Sequence, residues 1–188
     1  MIDLFQSANM IQSYLQERNW SFCFIGGIAL QRWGEPRLTV DIDILLFTEF
    51  ENDLDYAATL LEHFYPRVEN ALDFAIQNRV VLIKTKQGIG IDISLAGIAY
   101  EKEVIDRATY NTFTEEIKLL TCSAEDLIVM KAFADRDKDW GDVYGIIMRQ
   151  ATNLDWTYIL DRLKPLSEVK ENPGILDHLE RIRISLGN

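Results

Sequence analysis

The sequence predicts an α+β protein: a small mixed β-sheet flanked by helices, with a helical group at the C-terminal end. Three observations predict it. Short runs with strand periodicity fill residues 20–121, helical periodicity precedes and interrupts them, and beyond residue 122 the pattern is helical throughout. With 188 residues and 48% hydrophobic content the chain can bury one sizeable core. Regions 1–121 and 122–188 are therefore expected to pack as one compact unit.

The elements follow in order. Leu4, Phe5, Ala8, Ile11 and Leu15 recur at helical spacing over residues 2–18. Trp20 to Ile25 reads as a buried strand, and Gly26-Gly27 breaks it before a short helix from Ile28 to Trp33, stopped by Gly34 and Pro36. Arg37 to Phe47 alternates and reads as a second strand. Thr48-Glu49-Phe50-Glu51 has the form of a capping box, opening a helix to about Phe64 with Leu54, Ala57, Leu61 and Phe64 on its apolar face. Val80–Lys84 and Ile89–Leu95 read as strands joined by a turn at Lys86-Gln87-Gly88, and Ile117–Thr121 as a last short strand. Ser123 can cap the next helix, with a break near Arg136 to Lys138. Asn153 or Asp155 opens another helix, and Asn172-Pro173 opens the last.

Composition removes several classes of function. A formal net charge of −11 opposes broad, sequence-independent binding to nucleic acid, which runs on many Lys and Arg contacts to phosphate. Cys23 and Cys122 form no spaced framework and read as reduced core thiols; with His63 and His178 they make no zinc-ligand spacing. No apolar run approaches the roughly 20 residues of a membrane span, and the N-terminus lacks the features of a targeting segment. A soluble, cytoplasmic protein is expected.

Asp41 and Asp43 interrupt an otherwise apolar strand. Side chains alternate faces along a strand, so Arg37, Thr39, Asp41 and Asp43 share one face, and Leu38, Val40, Ile42 and Ile44 the other. Carboxylates roughly 6.6 Å apart along a strand can lean together onto metal ions. Magnesium takes such oxygen ligands and keeps water or phosphate oxygens in its other positions. A lone D-x-D is most often a solvated pair, but Asp92 interrupts the strand GIGIDISLA in the same way. Three carboxylates converge if the strands bearing Asp43 and Asp92 are neighbours. The Gly26-Gly27 turn, which taken alone reads as a tight strand-to-helix connection, then becomes a cradle for phosphate oxygens at a helix start.

This order of features (Gly26-Gly27, then Asp41-Ile42-Asp43, then Asp92) resembles the DNA polymerase β-like nucleotidyltransferase superfamily. GGIALQRWGEPRLTVDIDI is most similar to the AbiEii-type nucleotidyltransferases of abortive-infection and toxin–antitoxin systems. EDLIVMKAFADRDKDWGDV resembles that group's later helical motif, with Lys131, Ala134, Arg136, Lys138-Asp139 and Asp142. On spacing alone, Lys131 and Asp135 also fit an i, i+4 surface pair. The resemblance implies the nucleotidyltransferase fold and two magnesium ions held by Asp41, Asp43 and Asp92. Asp92 would also help activate the acceptor hydroxyl. Gly26, Gly27, Arg37 and Thr39 would bind the nucleotide, and Lys131 would act at a phosphate or the nucleotide. The implied activity is transfer of an NMP from an NTP to a hydroxyl of RNA, such as a tRNA end, or of a protein, with a cognate antitoxin as a partner. The group's basic second motif finds only Arg79 and Lys84 as candidates. Two alternatives stay open: a binding module of the same fold without turnover, and nucleotidylation of a small molecule such as an aminoglycoside.

Overall fold

A computed structural model gives the fold of residues 2–187, with side chains described from Leu4 onward. The predicted regions 1–121 and 122–188 each include one residue, Met1 and Asn188, outside the described residues. The chain divides into two compact units. The first comprises the described residues up to Ile28 together with Leu38–Cys122, and the second Ala29–Arg37 together with the described residues from Ser123 onward.

The first unit is a mixed sheet with helices. In chain order it contains α1 (Ile2–Glu17), β1 (Phe22–Phe24), the start of α2 (Gly26–Trp33), β2 (Asp41–Phe47) and α3 (Glu49–His63). There follow β3 (Tyr65–Pro66), α4 (Ala71–Asn78), β4 (Val80–Lys84), β5 (Gly90–Ala96), α5 (Ala99–Asp106), β6 (Thr109–Thr112) and β7 (Lys118–Thr121). The seven strands of the described residues lie in the order β3-β4-β5-β2-β1-β7-β6. β2 pairs in parallel with β5 and antiparallel with β1, and β4 joins β5 as the expected hairpin. At the hairpin turn Gly88 has φ +87°, the left-handed conformation that glycine adopts without strain.

One face of the sheet is sealed by apolar side chains. Ile42, Ile44 and Leu46 of β2 and Ile91, Ile93 and Leu95 of β5 are buried with Ala8, Ile11 and Leu15 of α1 and with Ala57 and Leu60 of α3. At roughly 25 cal/mol per Å² this burial is the main force that fixes strand register. A one-residue slip would carry every isoleucine to the polar face.

Three local expectations change. β2 begins at Asp41, and Leu38 and Val40 are 82% and 66% exposed, so residues 37–40 are no part of the buried strand. Thr48 caps no amide of α3; its hydroxyl donates to Asp53 Oδ1 at 2.6 Å. Asp53 is buried there, also bonded by Arg79, and Leu54 faces outward in its stead.

The second unit takes the end of α2 and the helices α6 (Ala124–Ala134), α7 (Asp137–Gln150), α8 (Trp156–Val169) and α9 (Gly174–Ser185). The Ser123 hydroxyl accepts the Asp126 N–H at 3.0 Å and Asp155 accepts that of Tyr158 at 2.9 Å, both N-caps in the expected sense. The break falls at Asp135, in a left-handed conformation (φ 59°) between α6 and α7, just ahead of the expected 136–138. Lys131 pairs elsewhere, and Asp135 accepts instead from Trp140 Nε1 at 2.8 Å and Asn172 Nδ2 at 2.9 Å. No helix among the described residues is long and apolar enough to cross a membrane.

Candidate active site

On the sheet face opposite the buried isoleucines, the parallel pairing sets Asp43 directly beside Asp92 and Asp41 beside Gly90. Strand parity then puts Asp41, Asp43 and Asp92 on one face, opposite the buried isoleucines. Like charges facing each other across neighbouring strands are destabilising, so this arrangement works against the stability of the sheet. Burial pushes the Asp92 carboxyl above its usual range. The Arg67 guanidinium opposes that rise, and the charges of Asp43 and Asp41 add to it.

The glycine pair is fitted to these carboxylates. Gly26 starts α2 with φ +53°, and a Cβ there would overlap Asp43 Oδ2. The Gly27 N–H donates to the same oxygen at 3.2 Å, and a Cβ on Gly27 would lie 2.7 Å from Thr39 Cβ. Thr39 in turn donates its hydroxyl to the Asp41 carbonyl at 3.2 Å. Gly26, Gly27, Thr39, Asp41, Asp43 and Asp92 thus come together in the first unit. The turn needs glycine because the carboxylate strand passes against its backbone.

The sequence reading missed Arg67, which follows the two-residue strand β3. Its N–H donates to the Leu82 carbonyl at 3.0 Å, extending the β3–β4 ladder by one position. Nη1 donates to Asp41 Oδ1 at 3.3 Å and Nη2 to Asp92 Oδ1. Neither Arg79, bonded to Asp53, nor Lys84, exposed at the end of β4, makes such a contact among the described residues. No periodic pattern marks Arg67 in the sequence; a basic residue just beyond an edge strand was the only available signal.

The chemistry of this donor set fits a divalent cation. Asp41 and Asp92 present hard oxygen donors on side chains 45% and 34% exposed, and a cationic guanidinium already sits between them. Among the described residues no three acidic, His or Cys side chains converge as a ready-made ligand cage. The carboxylates lie on one face, with Arg67 among them.

The two remaining expected site residues lie in the second unit. Lys131, on α6, is buried, and its Nζ donates to Asp139 Oδ1 at 3.2 Å and Asp142 Oδ2 at 2.7 Å, both on α7. Arg37 makes a two-pronged pair with Asp142, Nε to Oδ1 at 2.9 Å and Nη2 to Oδ2 at 3.0 Å. Arg136 bonds the other oxygen of Asp139. Burial raises both carboxyls, but the hydrogen bonds and charges of Arg136 and Lys131 at Asp139, and of Arg37 and Lys131 at Asp142, outweigh it and hold both below the ordinary range. Lys131 and Arg37 are therefore joined through Asp142.

Comparison with known proteins agrees with the fold. Residues 15–155 match the family described as nucleotidyl transferase AbiEii toxin, type IV TA system. No curated protein sequence matches the chain. Among solved structures, an antigenic nucleotidyltransferase-like protein from Paracoccidioides brasiliensis is similar over 94% of this chain and 92% of its own, with 16% identity and a TM-score of 0.54. The antibiotic-resistance factor ANT(2″)-Ia aligns over 98% of this chain and 88% of its own, with 17% identity and a TM-score of 0.43. The matched region covers most of the chain and contains every expected site residue from Gly26 to Lys131, so this chain belongs to the AbiEii nucleotidyltransferase toxin family of type IV toxin–antitoxin systems.

Proposed function

We propose that this protein transfers a nucleoside monophosphate from an NTP to a hydroxyl group of RNA or of a protein, as the toxin of a toxin–antitoxin pair. The observation that carries the reading is the in-register Asp43–Asp92 pair with Asp41 on the same face, against the glycine turn that opens α2. Three carboxylates so placed cost stability unless a cation uses them.

In this reading Asp41, Asp43 and Asp92 hold divalent ions, two by family resemblance. What such ions supply when bound is neutralisation of phosphate charge. The chain's own residues orient the reactants. Asp43 fixes the glycine turn by accepting the Gly27 N–H, leaving a turn without side chains to take phosphate oxygens. The acceptor oxygen bonds to the α-phosphorus, the bond from that phosphorus to the bridging oxygen breaks, and pyrophosphate leaves with the electron pair. Asp92 takes the proton of the acceptor hydroxyl. Lys131 was expected at a phosphate; its engagement by Asp139 and Asp142 supports instead a role in holding the Arg37–Asp142 pair. We place the protein in the cytoplasm, where NTPs are found and where the buried thiols of Cys23 and Cys122 stay reduced.

The test is incubation with each of four α-labelled NTPs, magnesium, and either total tRNA or candidate proteins. Label should enter one acceptor class with one preferred nucleotide, and Asp41→Asn and Asp43→Asn should each abolish it. A blank result with all four nucleotides and both acceptor classes contradicts the reading. One observation favours a second reading, a binding module without turnover: Arg67 occupies Asp41 and Asp92. Calorimetric binding of NTP with no incorporation of label would select it.

A further inference from the structure

We propose that Arg67 is a positioning residue of this site: a built-in counter-cation that holds Asp41 and Asp92 while no divalent ion is bound and must leave them when one binds. The inference rests on reading the carboxylates as a divalent-cation site.

The sheet brings the residue there by register. Arg67 extends β3 opposite Leu82, Leu82 pairs with Asp92, and Asp92 pairs with Asp43, so the four stand in one row across the strands. Two strand spacings of about 4.8 Å separate the backbone of Arg67 from that of Asp92, a gap an extended arginine spans. Its two terminal nitrogens go to different strands, one to Asp41 on β2 and one to Asp92 on β5.

Gly90 makes room for this. It pairs with Asp41, and a Cβ on it would overlap both Asp41 Oδ1 and Arg67 Nη1. The contact is therefore shaped by the strand and is more than a chance meeting of surface charges. It is also incomplete. Arg67 Nε is buried and has no hydrogen-bond partner among the described residues, whereas Arg37 uses Nε as well as Nη2 on its carboxylate. An arginine serving only to staple the sheet would be expected to use its fork fully; this one spreads its charge over two acids and leaves a donor unused.

The charges explain why it must move. Three carboxylates and one guanidinium sum to −2, and a divalent ion is drawn to the same oxygens that Arg67 bonds. Two cations cannot share those oxygens without strong mutual repulsion at such short range. Arg67 thus limits repulsion between the acids in the ion-free protein and lowers their apparent affinity for ions.

The test measures binding without nucleotide or acceptor. Calorimetric titration of Mn²⁺ into the wild type, Arg67→Gln and Asp41→Asn should show about ten-fold tighter binding for Arg67→Gln than for the wild type, and loss of binding for Asp41→Asn. In the wild type, the NMR resonance of the Arg67 Nε–Hε group should shift on titration with Mg²⁺ and saturate as the site fills. This second measurement decides the matter should Arg67→Gln fail to fold. Equal or weaker Mn²⁺ binding by Arg67→Gln, or an Arg67 resonance unmoved at saturating Mg²⁺, overturns the inference while the cation site stands. Absence of Mn²⁺ binding in all three proteins removes the cation site, and the inference with it.

Discussion

Replacing Lys131 by methionine separates a structural from a substrate-binding role for the buried ammonium. Lys131, Asp139 and Asp142 have side chains 8%, 1% and 7% exposed, with Nζ–O distances of 3.2 and 2.7 Å. At an effective dielectric constant of 20, those distances correspond to about 5 and 6 kcal/mol of attraction, set against several kcal/mol of desolvation per ion. Removing one member of a buried pair costs about 3–5 kcal/mol. Here Arg136 still serves Asp139 and Arg37 still serves Asp142, so the low end, about 3 kcal/mol, is expected. For a chain of this size that lowers Tm by about 6–12 °C. Thermal melts followed by circular dichroism read the shift directly. A Lys131→Met protein that melts within about 2 °C of the wild type yet no longer binds NTP would refute the reasoning, because the ammonium would then be acting on substrate.

Asp43→Asn should abolish transfer while leaving Tm unchanged or higher, since the amide oxygen still accepts the Gly27 N–H and the charge facing Asp92 is gone; an unfolded variant would make the residue structural. Gly26→Ala should cost at least about 1–3 kcal/mol, because alanine is strained at φ +53° and its Cβ overlaps Asp43 Oδ2; urea melts at wild-type level would contradict the packing described. The depressed Asp142 carboxyl contributes stability that is present above the usual carboxylate pKa of about 3.9 and is lost as pH falls through its lower folded value. Asp142→Asn should therefore flatten the acid limb of stability against pH. Asp92 has the opposite sign: its raised carboxyl favours the fold at low pH and loses that contribution as pH rises through the folded value. In ion-free buffer, Asp92→Asn should stabilise the protein at pH 7 relative to pH 3; no difference between those pH values would count against the carboxylate repulsion.

The sequence disclosed what is local. Parity placed Asp41, Asp43 and Asp92 on the polar face because alternation is a property of each strand alone, and the glycine pair, the hairpin turn and the Ser123 and Asp155 caps are read over a few residues. The site also depends on contacts no local pattern reports. Arg67 meets its partners 26 and 25 positions away, and Arg37 meets Asp142 across 105. The second strand is shorter than its alternation suggests: Arg37 belongs to the second unit, paired there with Asp142, and β2 starts at Asp41. Lys131 and Asp135 fit an i, i+4 pair on spacing alone, but the left-handed residue that ends α6 turns the chain and brings Asp139 and Asp142 to Lys131 instead.

Pyrophosphate release coupled to labelling tests the central claim, that Asp41, Asp43 and Asp92 act as one set in nucleotidyl transfer. Wild-type protein with its preferred α-labelled NTP, magnesium and acceptor should release one pyrophosphate for each nucleotide joined, and folded Asp43→Asn protein should release none. Equal labelling and release by that folded variant would contradict the account.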